Sequence, residues 1–163
     1  MKFEFRGRNL AVALACLVAA GCTAGAQTPQ TPPADAVTLS ISFPADIKIN
    51  RILPAGAEQT VPVTAQLALT NTSASAVTLQ QPNDCQSHVW TVSDASGSTV
   101  DDRAICPMIF IPVRLSIAAH GTFTGTETVT LTGTKYQDGG HYTLHYTFWG
   151  AKADAAFTAH VVQ

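Results

Sequence analysis

An apolar side chain at every second position constrains this chain more than any other feature. Tyr142, Leu144, Tyr146 and Phe148 alternate with other residues, as do Val63, Ala65, Leu67 and Leu69. A strand sends successive side chains to opposite faces, so each such row covers one face of a sheet. Val37, Leu39, Ile41 and Phe43 make another row, ended by Pro44. Val77 with Leu79, Trp90 with Val92, and Phe157, Ala159 with Val161 continue the pattern. Residues 109–117 read as one or two strands broken at Pro112. No window of helical length carries a sustained three-to-four spacing. Seven to nine short strands with turn signals between them predict an all-β fold, an immunoglobulin-like two-sheet β-sandwich with Greek-key connections.

Turn chemistry sharpens this expectation. Asn71-Thr72-Ser73 and Asp94-Ala95-Ser96-Gly97 read as turns. Asp138-x-Gly140-x-Tyr142-x-Leu144 has the layout of a tyrosine corner, with Leu144 where antibody domains carry their second cysteine. In such a corner the hydroxyl caps nearby backbone while the ring packs inward. Trp90 reads as the core tryptophan of the sandwich.

The first 21 residues read as a signal peptide. Lys2, Arg6 and Arg8 precede an apolar stretch from Leu10 to Ala20, far too short to cross a bilayer. Ala19, Ala20 and Gly21 then lead to Cys22, where a bacterial lipoprotein signal places its lipidated cysteine. The expected mature chain begins at Cys22 and meets the membrane through acyl chains. Thr23, in place of an aspartate, favours an outer-membrane lipoprotein facing the periplasm. Residues 22–36 form a Thr/Pro-rich tether, and 37–163 have the size of one domain.

Without the signal, six Lys and Arg face ten Asp and Glu, a net charge of about −4 that leaves no basic patch for nucleic acid. Cys85 and Cys106 are expected to form a disulfide in an oxidising compartment. The segment between them reads as a protruding loop, with His88, Asp101, Asp102 and Arg103 as candidate contacts for an envelope protein partner. Pro107 to Ile111 reads as the buried start of a strand.

Threonine occupies every second position from Thr122 to Thr134, the pattern of a solvent-facing strand of strong β-formers. His141, His145 and His160 point outward if their strands face inward through Tyr142 and Phe157. An inward-on-inward hairpin would place His160 opposite Thr143, diagonal to both other histidines, which makes the three a candidate metal site. No Gly-x-Ser-x-Gly elbow is present, and Asp101 and Asp102, being adjacent, face opposite ways. Neither an enzyme nor a cofactor is expected.

The order of these pieces resembles the BsuPI-type proteinase inhibitor domain of bacteria. The resemblance rests on Leu67-Ala68-Leu69-Thr70-Asn71-Thr72-Ser73, Val77-Thr78-Leu79, Asp94-Ala95-Ser96-Gly97 and Gly140-His141-Tyr142-Thr143-Leu144, across about residues 61–162. The Cys85/Cys106 region is an insertion relative to that family, and no inhibitory motif carries over. The resemblance implies the sandwich fold and, as one alternative, a tethered inhibitor of envelope proteinases. The leading expectation is an envelope-anchored, non-enzymatic binding or assembly module. Metal or small-ligand capture on the outer strand face is a further alternative.

Overall fold

A computed structural model describes residues 36–50, 59–103 and 111–162. The signal peptide, Cys22, the tether up to residue 35, Cys106 and residues 107–110 lie outside the described residues.

The described residues form ten strands: β1 Val37–Ser42, β2 Asp46–Asn50, β3 Thr60–Asn71, β4 Val77–Gln81, β5 His88–Asp94, β6 Thr99–Asp102, β7 Val113–Ile117, β8 Thr122–Thr132, β9 Gly140–Phe148 and β10 Ala151–Val162. A four-residue helix, α1 Asp84–Ser87, precedes β5, and a 3-10 turn at Gly133–Lys135 follows β8. One sheet runs β1-β3-β8, a second β2-β10-β9-β5-β6, and β4 pairs β7 separately. All pairs are antiparallel except β2 with β10.

The inward rows of the two larger sheets meet in one apolar core. Val63, Ala65, Leu67 and Leu69 come from β3, with Val129 and Leu131 from β8. Trp90, Val92, Tyr142, Leu144, Tyr146, Phe148, Phe157 and Ala159 come from the second sheet. Each fully buried leucine or valine here contributes roughly 1.5–3 kcal/mol relative to exposure. Trp90 is a core residue.

Two local features close the core at β9. The Gln137 N–H donates to the Tyr142 hydroxyl at 2.9 Å, so the predicted corner forms while the Tyr142 ring packs between Tyr136 and Phe157. A Cβ on Gly140 would lie 2.7 Å from the Tyr142 ring and hydroxyl, which is why glycine occupies that position. At the other end, Trp149 (φ 51°) and Gly150 (φ 87°) join β9 to β10 in a two-residue turn. Positive φ at both central residues matches the right-handed twist of a hairpin. Trp149 accepts this conformation while its N–H donates to the Ser87 carbonyl at 2.9 Å.

Asn71 fastens the turn after β3. Its side chain is fully buried, with Nδ2 at 2.8 Å from the Ser75 carbonyl and 2.9 Å from that of Ala118. Its Oδ1 accepts from the Ser73 N–H and hydroxyl. A buried side chain so engaged supports the turn reading of Asn-x-Ser.

Several expectations change. β2 is an additional strand, carried by Ile47 and Ile49, which are both buried. β7 begins only after Pro112, and Ile111 is 66% exposed rather than part of a buried strand. The segment after Cys85 is no protruding loop as far as Arg103. It forms α1 and then the β5–β6 hairpin, because Trp90 and Val92 must reach the core.

Candidate functional site

The outer face of the five-stranded sheet gathers His141, His145 and His160 with Asp46 and Asp154. Inward Tyr142, Leu144 and Tyr146 leave His141, Thr143 and His145 facing out on β9. Inward Phe157 and Ala159 leave Asp154, Thr158 and His160 outward on β10. On β5, inward Trp90 and Val92 leave Thr91 and Ser93 outward.

The β9–β10 register differs from the sequence expectation by four residues. Phe157 pairs Tyr142 and Asp154 pairs His145, since the turn occupies only Trp149 and Gly150. His160 therefore does not sit opposite Thr143. It faces Lys48 on β2, and its Nε2 lies 2.9 Å from Asp46 Oδ1. His141 pairs Thr158 and remains diagonal to His160, while His145 stands four positions further along β9. Among the described residues, no three His, Cys, Asp or Glu side chains form a group that could hold a metal ion.

The new register places His145 between two other groups. Its Nδ1 is 2.9 Å from Asp154 Oδ1, and its Nε2 is 2.9 Å from Ser93 Oγ. Ser93 pairs Thr143 directly and so lies diagonal to His145 across the β5–β9 ladder. Ser93 keeps 8% of its surface, whereas the His145 side chain is 45% exposed. Sequence reasoning missed this constellation. Its only trace was parity, because all three residues occupy outward positions of their strands.

Of the four proposed contacts near Cys85, Asp101 is buried, Asp102 is exposed, and His88 and Arg103 are half-buried. His88 opens β5, and its ring lies 4.8 Å from that of Phe148. Its Nδ1 is 3.3 Å from Glu127 Oε1 on β8 and 3.4 Å from the Tyr146 hydroxyl; Asp84 stands 3.9 Å from its Nε2. Arg103 donates to the His88 carbonyl. Burial holds His88 below the usual histidine range, opposed by Glu127 and Asp84 and reinforced by Arg103. Burial chiefly raises Tyr146, and Glu127 adds to it.

Asp101 cannot be a partner contact, because it is 2% exposed. Its carboxylate accepts from the Thr132 N–H (2.7 Å), the Tyr136 hydroxyl (3.0 Å), Lys135 Nζ (2.9 Å) and the Asp102 N–H (3.0 Å). Burial alone would raise the Asp101 carboxyl, but the Thr132 N–H, Lys135 and Tyr136 together hold it below the usual carboxylate range. Tyr136 is raised by burial and by the neighbouring Asp101 charge. This is a joint between β6 and the end of β8. Asp102, facing the other way, is exposed, as strand alternation requires.

The threonine ladder lies on the outer face of the three-stranded sheet. Thr122, Thr124, Thr126, Thr128 and Thr130 are exposed, and the strand ends at Thr132, before Thr134. A shallow open depression of about 570 Å³ crosses this sheet, lined among others by Ser40, Ser42, Gln66, Thr124 and Thr126.

No protein-family model matches the chain, and no curated protein matches it. Solved structures give partial overlaps with β-rich parts of other proteins. A β-glucosidase from Listeria innocua in complex with glucose overlaps with 12% identity and a TM-score of 0.42, covering 77% of this chain and 16% of that one. A β-glucuronidase from glycoside hydrolase family 2 gives 8% identity and a TM-score of 0.42, over 75% of this chain and 11% of its own. The structural-genomics target SoR45 gives 11% identity and a TM-score of 0.42, over 77% of this chain and 84% of that one. This chain thus spans a small fraction of the two glycosidases.

Proposed function

We propose that this chain is an envelope-anchored, immunoglobulin-like module that binds or assembles with an envelope protein. Three pieces of topology support the immunoglobulin-like assignment. The first strand segment is divided between the sheets as β1 and β2, β2 runs parallel to β10, and a tyrosine corner opens β9. The observation that carries the binding reading is the outer face of the five-stranded sheet. There His145–Asp154 and His160–Asp46 pairs stand on paired strands, which hold side chains more firmly than loops do.

Lipidation of Cys22 supplies the anchor, and the outer membrane facing the periplasm is its location. Cys85 is a bonded sulfur rather than a titrating thiol, which supports a disulfide with Cys106. A proteinase inhibitor would need a presented loop. Within the Cys85–Cys106 segment, β5 and β6 are instead strands of the five-stranded sheet, and this favours the module reading.

Expression of the full chain with radiolabelled palmitate tests the anchor. The label and membrane partition should both vanish in Cys22→Ser; a labelled or membrane-bound variant would refute it. Cross-linking from positions 152 and 156, exposed on the same face, in intact cells tests the binding face. The expected result is a discrete adduct that His160→Ala with Asp46→Ala removes, while a matched Thr126→Ala change on the opposite sheet keeps it. An adduct insensitive to the first pair would refute the assignment of that face.

A further inference from the structure

Ser93, His145 and Asp154 stand in the order of nucleophile, base and orienting carboxylate across three adjacent strands. We propose that this relay makes Ser93 an acylatable nucleophile, able to cleave small activated carboxylic esters on the outer sheet face. The inference goes beyond the anchored-module reading, which stands or falls separately. It also departs from the expectation, drawn from the sequence, that the chain is no enzyme.

Hydrogen-bond valence supplies the first argument. A carboxylate only accepts, so Asp154 holds the proton of a neutral His145 on Nδ1. Nε2 then presents its lone pair to Ser93 Oγ at 2.9 Å, and the serine hydroxyl donates to it. A nucleophile within reach of a base that a third group orients is the arrangement from which acyl transfer proceeds on unrelated folds.

Rigidity and nearby donors supply the second. β9 lies between β5 and β10, so all three residues stand on strands laddered to one another. The β5–β6 ladder slips by one residue between Val92 and Ser93, a bulge beside the hydroxyl. Thr143 pairs Ser93, and Thr91 pairs His145 on the same face. These outward threonines are the hydroxyl-bearing neighbours of Ser93 and His145 in register, the side chains available to a developing oxyanion. Two hydroxyls give less stabilisation than a preorganised pair of backbone amides, so the esters concerned are those with good leaving groups.

The chemistry balances without any added group. Ser93 Oγ attacks the carbonyl carbon as its proton passes to Nε2. Collapse breaks the bond to the alcohol, which leaves with that proton. Water next gives a proton to Nε2 and attacks the acyl-Ser93 carbonyl. The second collapse releases the acid, and Ser93 recovers its proton. Ser93 and His145 are the catalytic residues, and Asp154 is a positioning residue.

The test uses the full chain in detergent with p-nitrophenyl acetate, followed by a fluorophosphonate probe and peptide mapping. The expected result is a burst of about one nitrophenolate per chain with the probe attached at Ser93. His145→Ala should slow acylation by about 100-fold or more. Asp154→Asn should slow it as well, since the amide favours the wrong tautomer, while Asp154→Glu should keep it. Mapping on the unaltered chain needs no variant to fold. A burst that survives in Ser93→Ala, a probe attached elsewhere, or no reaction above that variant would overturn the proposal.

Discussion

The Tyr136 hydroxyl donates a 3.0 Å hydrogen bond to the Asp101 carboxylate, and neither residue keeps more than 2% of its surface. This bond ties the edge strand β6 to the turn that leaves β8. Asp101→Ala would leave the Thr132 N–H and the Tyr136 hydroxyl buried without their acceptor. The expected loss is roughly 3 kcal/mol in urea unfolding. A change below about 0.5 kcal/mol, the size of an ordinary surface substitution, would show the joint to be incidental.

Acid should loosen the same joint. Asp101 has a lower pKa folded than unfolded, so its contribution is full above the unfolded carboxylate value of about 4. That contribution disappears as pH falls through the folded value. Urea midpoints of the wild type and Asp101→Asn should therefore converge towards pH 2. Parallel curves over the whole range would contradict this.

His88 predicts a pH dependence at a different place. Its folded pKa is lowered by burial, so the folded chain binds the proton less readily than the unfolded chain. The stability concerned is present above the unfolded value of about 6.5 and declines as pH falls through the folded one. His88→Asn should flatten the stability profile on the acid side of pH 6.5. Ring-proton NMR should find His88 titrating below 6.5; a midpoint above it would reverse the sign.

The tyrosine corner separates a hydrogen bond from a steric requirement. Tyr142→Phe removes the acceptor of the Gln137 N–H and should cost about 1 kcal/mol. Gly140→Ala brings a Cβ to 2.7 Å from the ring and should cost more, about 1–3 kcal/mol. Thermal melts that rank the two in the opposite order would count against the close-approach argument.

The proposed Cys85–Cys106 bond closes a loop of about 22 residues and should contribute roughly 3 kcal/mol. Cys85→Ser with Cys106→Ser should lower the unfolding free energy by that order. A reductant should do the same to the wild type and leave the double variant unchanged. Equal sensitivity of both chains to reductant would exclude the bond.

The core rows were legible because burial on one sheet face imposes period two locally. Val63 to Leu69 and Tyr142 to Phe148 needed no partner strand to be recognised, and the corner at Gly140 and Tyr142 is a matter of a few neighbouring residues. β2 was not legible because Ile47 and Ile49 follow closely on Pro44, which reads as the end of a strand, and their parallel partner on β10 lies far along the chain. Asp101 reads as a surface group only while its segment reads as a protruding loop, and nothing local shows that it lies on an edge strand whose inner face is covered. Thr132, Lys135 and Tyr136, which cover it, follow some thirty residues later.

Side-chain direction is thus a local property, and the sequence by itself determined an all-β chain, its inward rows and its turns. Register is set by the turn and by contacts between distant strands. Parity placed Ser93, His145 and Asp154 on outward positions. Only the two-residue Trp149-Gly150 turn and the pairing of β9 with β5 and β10 decided that they would meet. The same folding carried Asp101 inward and moved His160 away from Thr143 to Asp46. A shift of four residues along a ladder keeps every side chain on its face and changes every neighbour, which is why the site belongs to the tertiary structure.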